Sequence, residues 1–271
     1  MASLTCFVHS YNSEKFISRC LDSILTQKTR HEFKVVIIDD CSEDNTDFIV
    51  FKYLKKYNNV YFFKTTRNTG LGKKCLINLE DKINDFVNSD YLFRIDYDDY
   101  IIDQKKFEIQ INILESNKKL IASCHHYRVH YENGDLNDET KAIVGVYSCK
   151  DILKFYILNQ AYTYNHTSTY MFRNIFKSSL PPRFRNTSWA FGDILFNFDF
   201  LRYGEIHYSK DIMTTYYIHS NGSWSGLTLN KKSKNNLNLF WKIFYFVSFQ
   251  NKIYFIYLIF IKLFRNKFIK F

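Results

Sequence analysis

Several common protein classes are excluded by what this sequence does not contain. Its six cysteines, Cys6, Cys20, Cys41, Cys75, Cys124 and Cys149, include no Cys-x-x-Cys pair. Their spacing is too wide for a zinc ribbon or a dense disulfide scaffold, so a reducing compartment is expected. Residues Met1 to Cys6 lack the basic start and long apolar run of a secretory signal. No stretch of about 18 uncharged apolar residues offers a membrane span. Thr69-Gly70-Leu71-Gly72-Lys73-Lys74 completes neither G-x-x-x-x-G-K-[ST] nor G-x-G-x-x-G. A G-x-S-x-G elbow and an H-E-x-x-H helix are also missing.

Acidic residues are absent after Asp211, whereas nine of the 37 Lys and Arg lie in residues 231–271. The formal net charge of +10 is therefore a property of the tail, and the remainder is close to neutral. A nucleic-acid-binding domain usually spreads basic residues over a folded face, so no nucleic-acid partner is expected. What remains is an ordinary globular composition, 46% hydrophobic and 24% charged over 271 residues. That length suits one large domain or two modest ones. The 19% of aromatic residues accompanies abundant Ile, Asn and Lys, all with A/T-rich codons, and carries no functional signal.

The first hundred residues alternate between two periodicities. Leu4–Val8 reads as a short strand, and residues 14–26 place Phe16, Ile17, Cys20, Leu21, Ile24 and Leu25 on one helical face. Asn12 or Ser13 is the expected N-cap of that helix. Phe33–Ile38 is a continuous apolar run, the pattern of a strand buried on both faces. Residues 46–57 read as helix, Val60–Phe63 as strand, 71–84 as helix and Tyr91–Ile95 as strand. Strand–helix repetition with short connections predicts a mainly parallel α/β sheet, Rossmann-like and flanked by helices.

Beyond Asp99 the pattern becomes mixed. Phe107–Leu114 reads as helix and Leu120–Tyr127 as strand, with an Asn133-Gly134 hairpin turn between Tyr127–Tyr131 and Ile143–Tyr147. Ser148 is expected to cap a helix running to about Leu158. Thr167–Phe172 reads as strand, and Asp193–Tyr203 as helix closed by Gly204. Two further short strands fit Glu205–Tyr208 and Thr214–His219, and Asn230–Asn238 reads as a linker.

Polar clusters follow each of the first four strands: Ser10-Tyr11-Asn12, Asp39-Asp40, Arg67-Asn68 with Gly70, and Asp96 with Asp98-Asp99. In an open parallel sheet the carboxyl ends of the strands form the ligand crevice, so all four are expected in one cleft. Several carboxylates together repel one another unless a cation sits among them. Mg²⁺ or Mn²⁺, hard ions that keep waters or phosphate oxygens in their shell, suit such a set. Asp40 is placed to accept from a base N–H or a ribose hydroxyl, and Arg67 to meet a base carbonyl or a phosphate. Taken one at a time, the Asp96–Asp99 stretch also fits a solvated turn and Asp39–Asp44 a helix-capping segment, with Asp44 capping and Asp40 binding.

At these residues the chain resembles the family 2 glycosyltransferases, inverting nucleotide-sugar enzymes of the GT-A fold. Val8-His9-Ser10-Tyr11-Asn12 is similar to that family's opening strand and turn, and Val36-Ile37-Ile38-Asp39-Asp40-Cys41-Ser42-Glu43-Asp44 to its VVDDGSTD. Arg67-Asn68-Thr69-Gly70 looks like its R-N-x-G, and Asp96-Tyr97-Asp98-Asp99 like its D-x-D-D. The resemblance implies that Ser10, Tyr11, Asn12, Asp40 and Arg67 line the nucleoside site, most often for uridine. It implies that Asp96 lies toward the ribose and that Asp98, with Asp96 and His219, holds the metal on the diphosphate. The family's base is the Asp of a Glu-Asp pair opening a helix, which places it here at Asp193, after Gly192 in place of Glu. Tyr217 stands where some relatives carry an Arg before the His219 position. The family's processive synthases carry Q-x-x-R-W, missing here, so transfer of one sugar per encounter is expected.

On this reading residues 1–100 bind the nucleotide sugar, 101–230 bind the acceptor and supply the base, and 231–271 form a basic aromatic tail. Residues 239–264 interleave apolar runs with Lys242, Lys252 and Lys262. That pattern fits a helix lying on an anionic membrane surface, or alternatively one packed on the domain with its lysines solvated. The expected partners are thus a UDP-sugar, a surface-glycan or lipid-linked acceptor and, through 239–271, the inner face of the cytoplasmic membrane. Two rival readings are a nucleotidyltransferase that makes a nucleotide sugar and a non-catalytic membrane binder acting through its tail. The first is expected to carry a Gly-rich, basic loop after its first strand, where this chain has Ser10-Tyr11-Asn12-Ser13-Glu14.

Overall fold

The computed structural model describes residues 1–68, 70, 88–140, 143–158, 166–175, 200–220, 241–245 and 247–268. Among the described residues, ten strands form one sheet. The parallel part runs β3 (Val60–Lys64), β2 (Glu32–Asp39), β1 (Ser3–Ser10), β4 (Tyr91–Asp96). The order continues through β9 (Met171–Arg173), β6 (Leu120–Tyr131) and β10 (Glu205–Ile218) to β5 (Tyr100–Ile101). Strand β9 is antiparallel to both β4 and β6, while β6 and β10 are parallel. The sheet is therefore mainly parallel with mixed pairing beyond β4, as the sequence predicts.

The unbroken apolar runs exist because this sheet is covered on both faces. Leu4, Cys6 and Val8 of β1, Val35 and Ile37 of β2 and Phe93 of β4 pack against α1 (Ile17–Leu25) and α3 (Lys106–Ser116). Val50 of α2 (Thr46–Lys56) joins that layer. The alternate residues Phe7, Val36, Ile38 and Leu92 face a second layer built on α4 (Cys149–Leu158). Ile243, Val247, Phe255 and Leu258 join that second layer, the last two from α5 (Phe249–Phe268). Residues 1–100 and 101–230 thus share one sheet, and the described part of 231–271 joins one of its two cores. Among the described residues no helix is long and apolar enough to cross a membrane.

Several expectations need correction. The Asn133-Gly134 turn is present, with Gly134 at φ +92°, but its return strand is β7 (Leu136–Glu139) and not Ile143–Tyr147. Arg128 and Asp138 sit directly opposite and pair at 2.6 Å, so the return strand is held by polar contacts that hydrophobic alternation does not reveal. Strand β8 (Gly145–Tyr147) pairs with β10 instead. Glu205–Tyr208 and Thr214–His219 are two ends of the single strand β10, which carries register shifts between Ser209 and Thr214. There Ser209 Oγ donates to the Asp211 carboxylate, a local bond that lets a polar step stay in the strand. Thr167–Thr169 is a 3₁₀ turn, so the strand expected from Thr167 starts at Met171.

Neither Asn12 nor Ser13 caps α1 through its side chain. The Ser13 carbonyl accepts from Phe16 and Ile17 N–H, and Asn12 sits in the left-handed region at φ +46°. Gly204 is not a left-handed cap either. A Cβ there would lie 2.4 Å from the Lys119 carbonyl oxygen, so close backbone approach requires the glycine. Ser148 does begin α4, exchanging hydrogen bonds with Asp151. The expected helix 71–84, most of Asp193–Tyr203 and the Asn230–Asn238 linker lie outside the described residues.

Candidate active site

Two acidic turns follow β2 and β4, the two strands that flank β1 in the parallel part of the sheet. The first, after β2, is held by its own chain. Asp39 is fully buried, and its carboxylate accepts from Ser42 N–H at 2.8 Å, Ser42 Oγ at 2.5 Å and Ser10 Oγ at 3.0 Å. The Ser10 hydroxyl is thereby committed to Asp39 and Ser13. Asn12 ties the β1 turn to the same loop, its N–H donating to Ser42 Oγ at 2.8 Å and its Oδ1 accepting from Glu43 N–H at 3.0 Å. Asp40 is buried beside them and accepts from Thr65 Oγ1 at 3.3 Å. Asp44 accepts from Thr46 N–H at 3.0 Å and so starts α2, its expected capping role. Cys41, where the family pattern has Gly, takes φ +63°.

Tyr11 is half-buried at the end of the β1 turn, and the Arg67 side chain is exposed. The Arg67 carbonyl accepts from Thr65 Oγ1 at 2.9 Å, and Thr65 N–H in turn donates to the Asp39 carbonyl. The loops after β1, β2 and β3 are therefore stitched together, as the convergence argument predicts. Asp193 and its neighbours lie outside the described residues.

The second turn, Asp96 to Asp99, is held by cations and backbone from distant segments. His219, just past β10, lies with Nε2 3.0 Å from Asp98 Oδ2. That hydrogen bond outweighs the opposing effect of burial and raises the His219 pKa. Its ring sits beside Phe16 and Tyr217. Asp99 is fully buried, accepts from Tyr217 N–H at 3.0 Å and faces His166 Nδ1 at 3.0 Å. Burial pushes its carboxyl pKa up, with His166 opposing. Arg19 of α1 donates to the Asp98 carbonyl at 2.9 Å while its guanidinium lies over the Tyr100 and Tyr217 rings at 4.4 and 4.5 Å.

The sequence argument singled out Asp96, Asp98 and His219, and missed His166 and Arg19. One ligand atom each from Asp96, Asp99 and His166 lies within 4.8 Å of the others. Two carboxylates and one imidazole form a donor set that accommodates Mn²⁺, and with waters Mg²⁺, whereas the predicted ligands Asp98 and His219 form a separate pair outside this cluster. The crowding of three carboxylates, one of them buried, fits a site completed by a cation. His166 also stacks on Tyr216, with ring centroids 4.1 Å apart. The signal that finds His166 is spatial, since the 3₁₀ turn and β9 that follow it must first join the sheet.

Acidic turns at the carboxyl ends of parallel strands, with distant histidines on the second, lie where open α/β sheets form their ligand crevice. The chain belongs to glycosyl transferase family 2, whose family model matches residues 5–180. It is similar to the Staphylococcus aureus poly(ribitol-phosphate) β-N-acetylglucosaminyltransferase TarS, 40% identical over 102 residues, 37% of this chain and 17% of that protein. The chain spans about a third or less of the length of the curated relatives it matches. Its fold is similar to the crystal structure of S. aureus TarS 1–349 with UDP, at a TM-score of 0.62 and 19% identity. That match covers 89% of this chain and 64% of the other. A Pyrobaculum calidifontis mannosyltransferase with GDP-Man and Mn²⁺ matches at a TM-score of 0.55 and 14% identity, covering 81% of this chain and 58% of that one. These neighbours establish the GT-A architecture.

Proposed function

We propose that this protein is a metal-dependent, inverting glycosyltransferase that moves one sugar from a UDP-sugar to a hydroxyl of a surface-glycan or lipid-linked acceptor. The observation that carries this reading is the Asp96–Asp99 turn, met by His166 and His219. Asp40, Tyr11, Asn12 and Arg67 hold the nucleoside, and Ser10 fixes the turn on which they sit. Asp96 faces the ribose. Asp98, with Asp96 and His219, holds Mn²⁺ or Mg²⁺, and the donor set suits either ion. When bound, the ion offsets charge developing on the leaving diphosphate, so no protein acid is needed there.

Asp193 takes the proton from the acceptor hydroxyl as that oxygen attacks the anomeric carbon from the face opposite UDP. The bond to the diphosphate breaks as the new glycosidic bond forms, and UDP departs with its negative charge. The UDP complex of the TarS fold neighbour supports the choice of nucleotide, and the glycan acceptor named for that relative supports the acceptor class. Nucleotide sugars, and the free state of the five cysteines among the described residues, suit the cytoplasm as the place of reaction.

The test is UDP release from a panel of UDP-sugars with Mn²⁺, in wild type and Asp193→Asn. The variant should lose about 10²- to 10⁴-fold in turnover while retaining Mn²⁺-dependent UDP binding. Turnover by Asp193→Asn near the wild-type rate would remove Asp193 as base. Absence of nucleotide release from every UDP-, GDP- and CMP-sugar by a folded wild type would overturn the transferase reading.

A further inference from the structure

Helix α5 presents two opposite faces. On one, Phe255 and Leu258 are fully buried in the core that holds Ile152, Leu153 and Ile157 of α4. On the other, Phe249, Ile253, Ile256, Tyr257 and Phe260 recur at the spacing of a single helical stripe. All five are exposed, between 45% and 78%. The short helical segment before it adds exposed Trp241 and Tyr245, also one turn apart. Single exposed apolar residues are ordinary, but a continuous aromatic-aliphatic stripe of this kind marks an interaction surface.

Charge identifies what covers it. Nine Lys and Arg fall in residues 231–271, with no Asp or Glu after Asp211. The Lys252 ammonium lies beside the stripe, 5.6 and 5.9 Å from the Phe244 and Tyr245 ring centroids. A second copy of the chain docking stripe to stripe brings like charges together without a compensating acid, which is unfavourable. An anionic lipid surface satisfies both components. Acyl chains receive the apolar stripe, Trp and Tyr suit the headgroup level, and the basic residues of the tail are attracted to anionic headgroups.

We propose that the outer face of α5, with Trp241 and Tyr245, docks the protein on an anionic membrane surface. The helix lies in the plane of the interface while its inner face stays packed on α4. Docking of this kind requires no detachment of the helix, so it fixes the catalytic domain to the bilayer as one body. The idea stands apart from the transferase reading.

Sedimentation with phosphatidylglycerol–phosphatidylcholine vesicles, against phosphatidylcholine alone, is the test. Wild type should pellet with the anionic vesicles and be released by high salt. The triple variant Phe249→Ser, Ile256→Ser, Phe260→Ser, all exposed positions, should bind at least about tenfold more weakly. A thermal shift with UDP and Mn²⁺ in the same samples reports the nucleotide site separately and should be unchanged. The proposal is overturned if wild type stays in the supernatant, if the triple variant pellets equally well, or if the stripe instead mediates a concentration-dependent dimer without lipid binding.

Discussion

The two acidic turns are built from the same residue type on the strands that flank β1, yet they are held in different ways. Around Asp39 the donors are hydroxyls and an N–H of Ser10 and Ser42, all neutral and all within the first two strand–turn units. Around Asp98 and Asp99 the partners are His219, His166 and the backbone of Tyr217, reached from beyond residue 165. A carboxylate satisfied by neutral local donors fixes a loop. Carboxylates that gather imidazoles from distant segments are suited to share a bound ion with them. The contrast separates scaffold from chemistry within one cleft.

The largest difference is expected between Asp98→Ala and Asp39→Ala. Asp98→Ala should lower glycosyl transfer by at least about 10²-fold and abolish metal-dependent UDP binding, with unfolding of the unliganded protein nearly unchanged. Asp39→Ala should destabilise the fold by about 2–4 kcal/mol, because the buried Ser42 N–H and two hydroxyls lose their acceptor. Urea unfolding of both variants, alongside UDP titrations, checks the pair. Similar stability losses in the two would erase the distinction.

A buried lysine packed on β4 sharpens the contrast through pH. Lys106 is fully buried, lies over the Phe93 ring at 4.1 Å and donates to Gln110, and burial pushes its pKa down to about 7. Between that value and the ordinary lysine pKa, the unfolded chain holds a proton that the folded one does not. Folding stability from this group therefore rises with pH across that window, by up to about 1.4 kcal/mol per pH unit, and is flat below it. The difference in unfolding free energy between wild type and Lys106→Met, measured from pH 6 to pH 10 (a range of about four units), should carry that slope. A pH-independent difference would place the charge elsewhere.

The smallest effect lies at Cys41. Its left-handed backbone costs a non-glycine residue about 1–2 kcal/mol, partly offset by the greater unfolded-state freedom of glycine. Cys41→Gly should stabilise the protein by about 0.5–1 kcal/mol, seen as a rise in Tm.

How much of this was legible follows from where the information sits. The runs Leu4–Val8, Phe33–Ile38 and Tyr91–Ile95 announce strands covered on both faces, and the structure extends each by one to three residues. The polar residues that end those runs then fall at one edge by topology alone. His166 and Arg19 could not be found that way. Arg19 reads as one more polar residue of an amphipathic helix, and only the fold places it on the Asp98 carbonyl. Strand β10 was split in the sequence reading because Lys210 and Asp211 interrupt its alternation, whereas the Ser209–Asp211 bond keeps the backbone in the sheet. For the tail, the choice between packing and membrane contact was posed as exclusive. Two opposite faces of α5 allow both, since Phe255 is buried and Phe260 is exposed.

The central claim is that the Asp96–Asp99 turn and its histidines form a metal-dependent nucleotide-diphosphate site. A thermal-shift measurement with UDP, with and without Mn²⁺, tests it most directly. The account predicts a rise in Tm with UDP and Mn²⁺ together that EDTA removes and Asp98→Ala lacks. An equal rise without metal, or an undiminished one in Asp98→Ala, would contradict it.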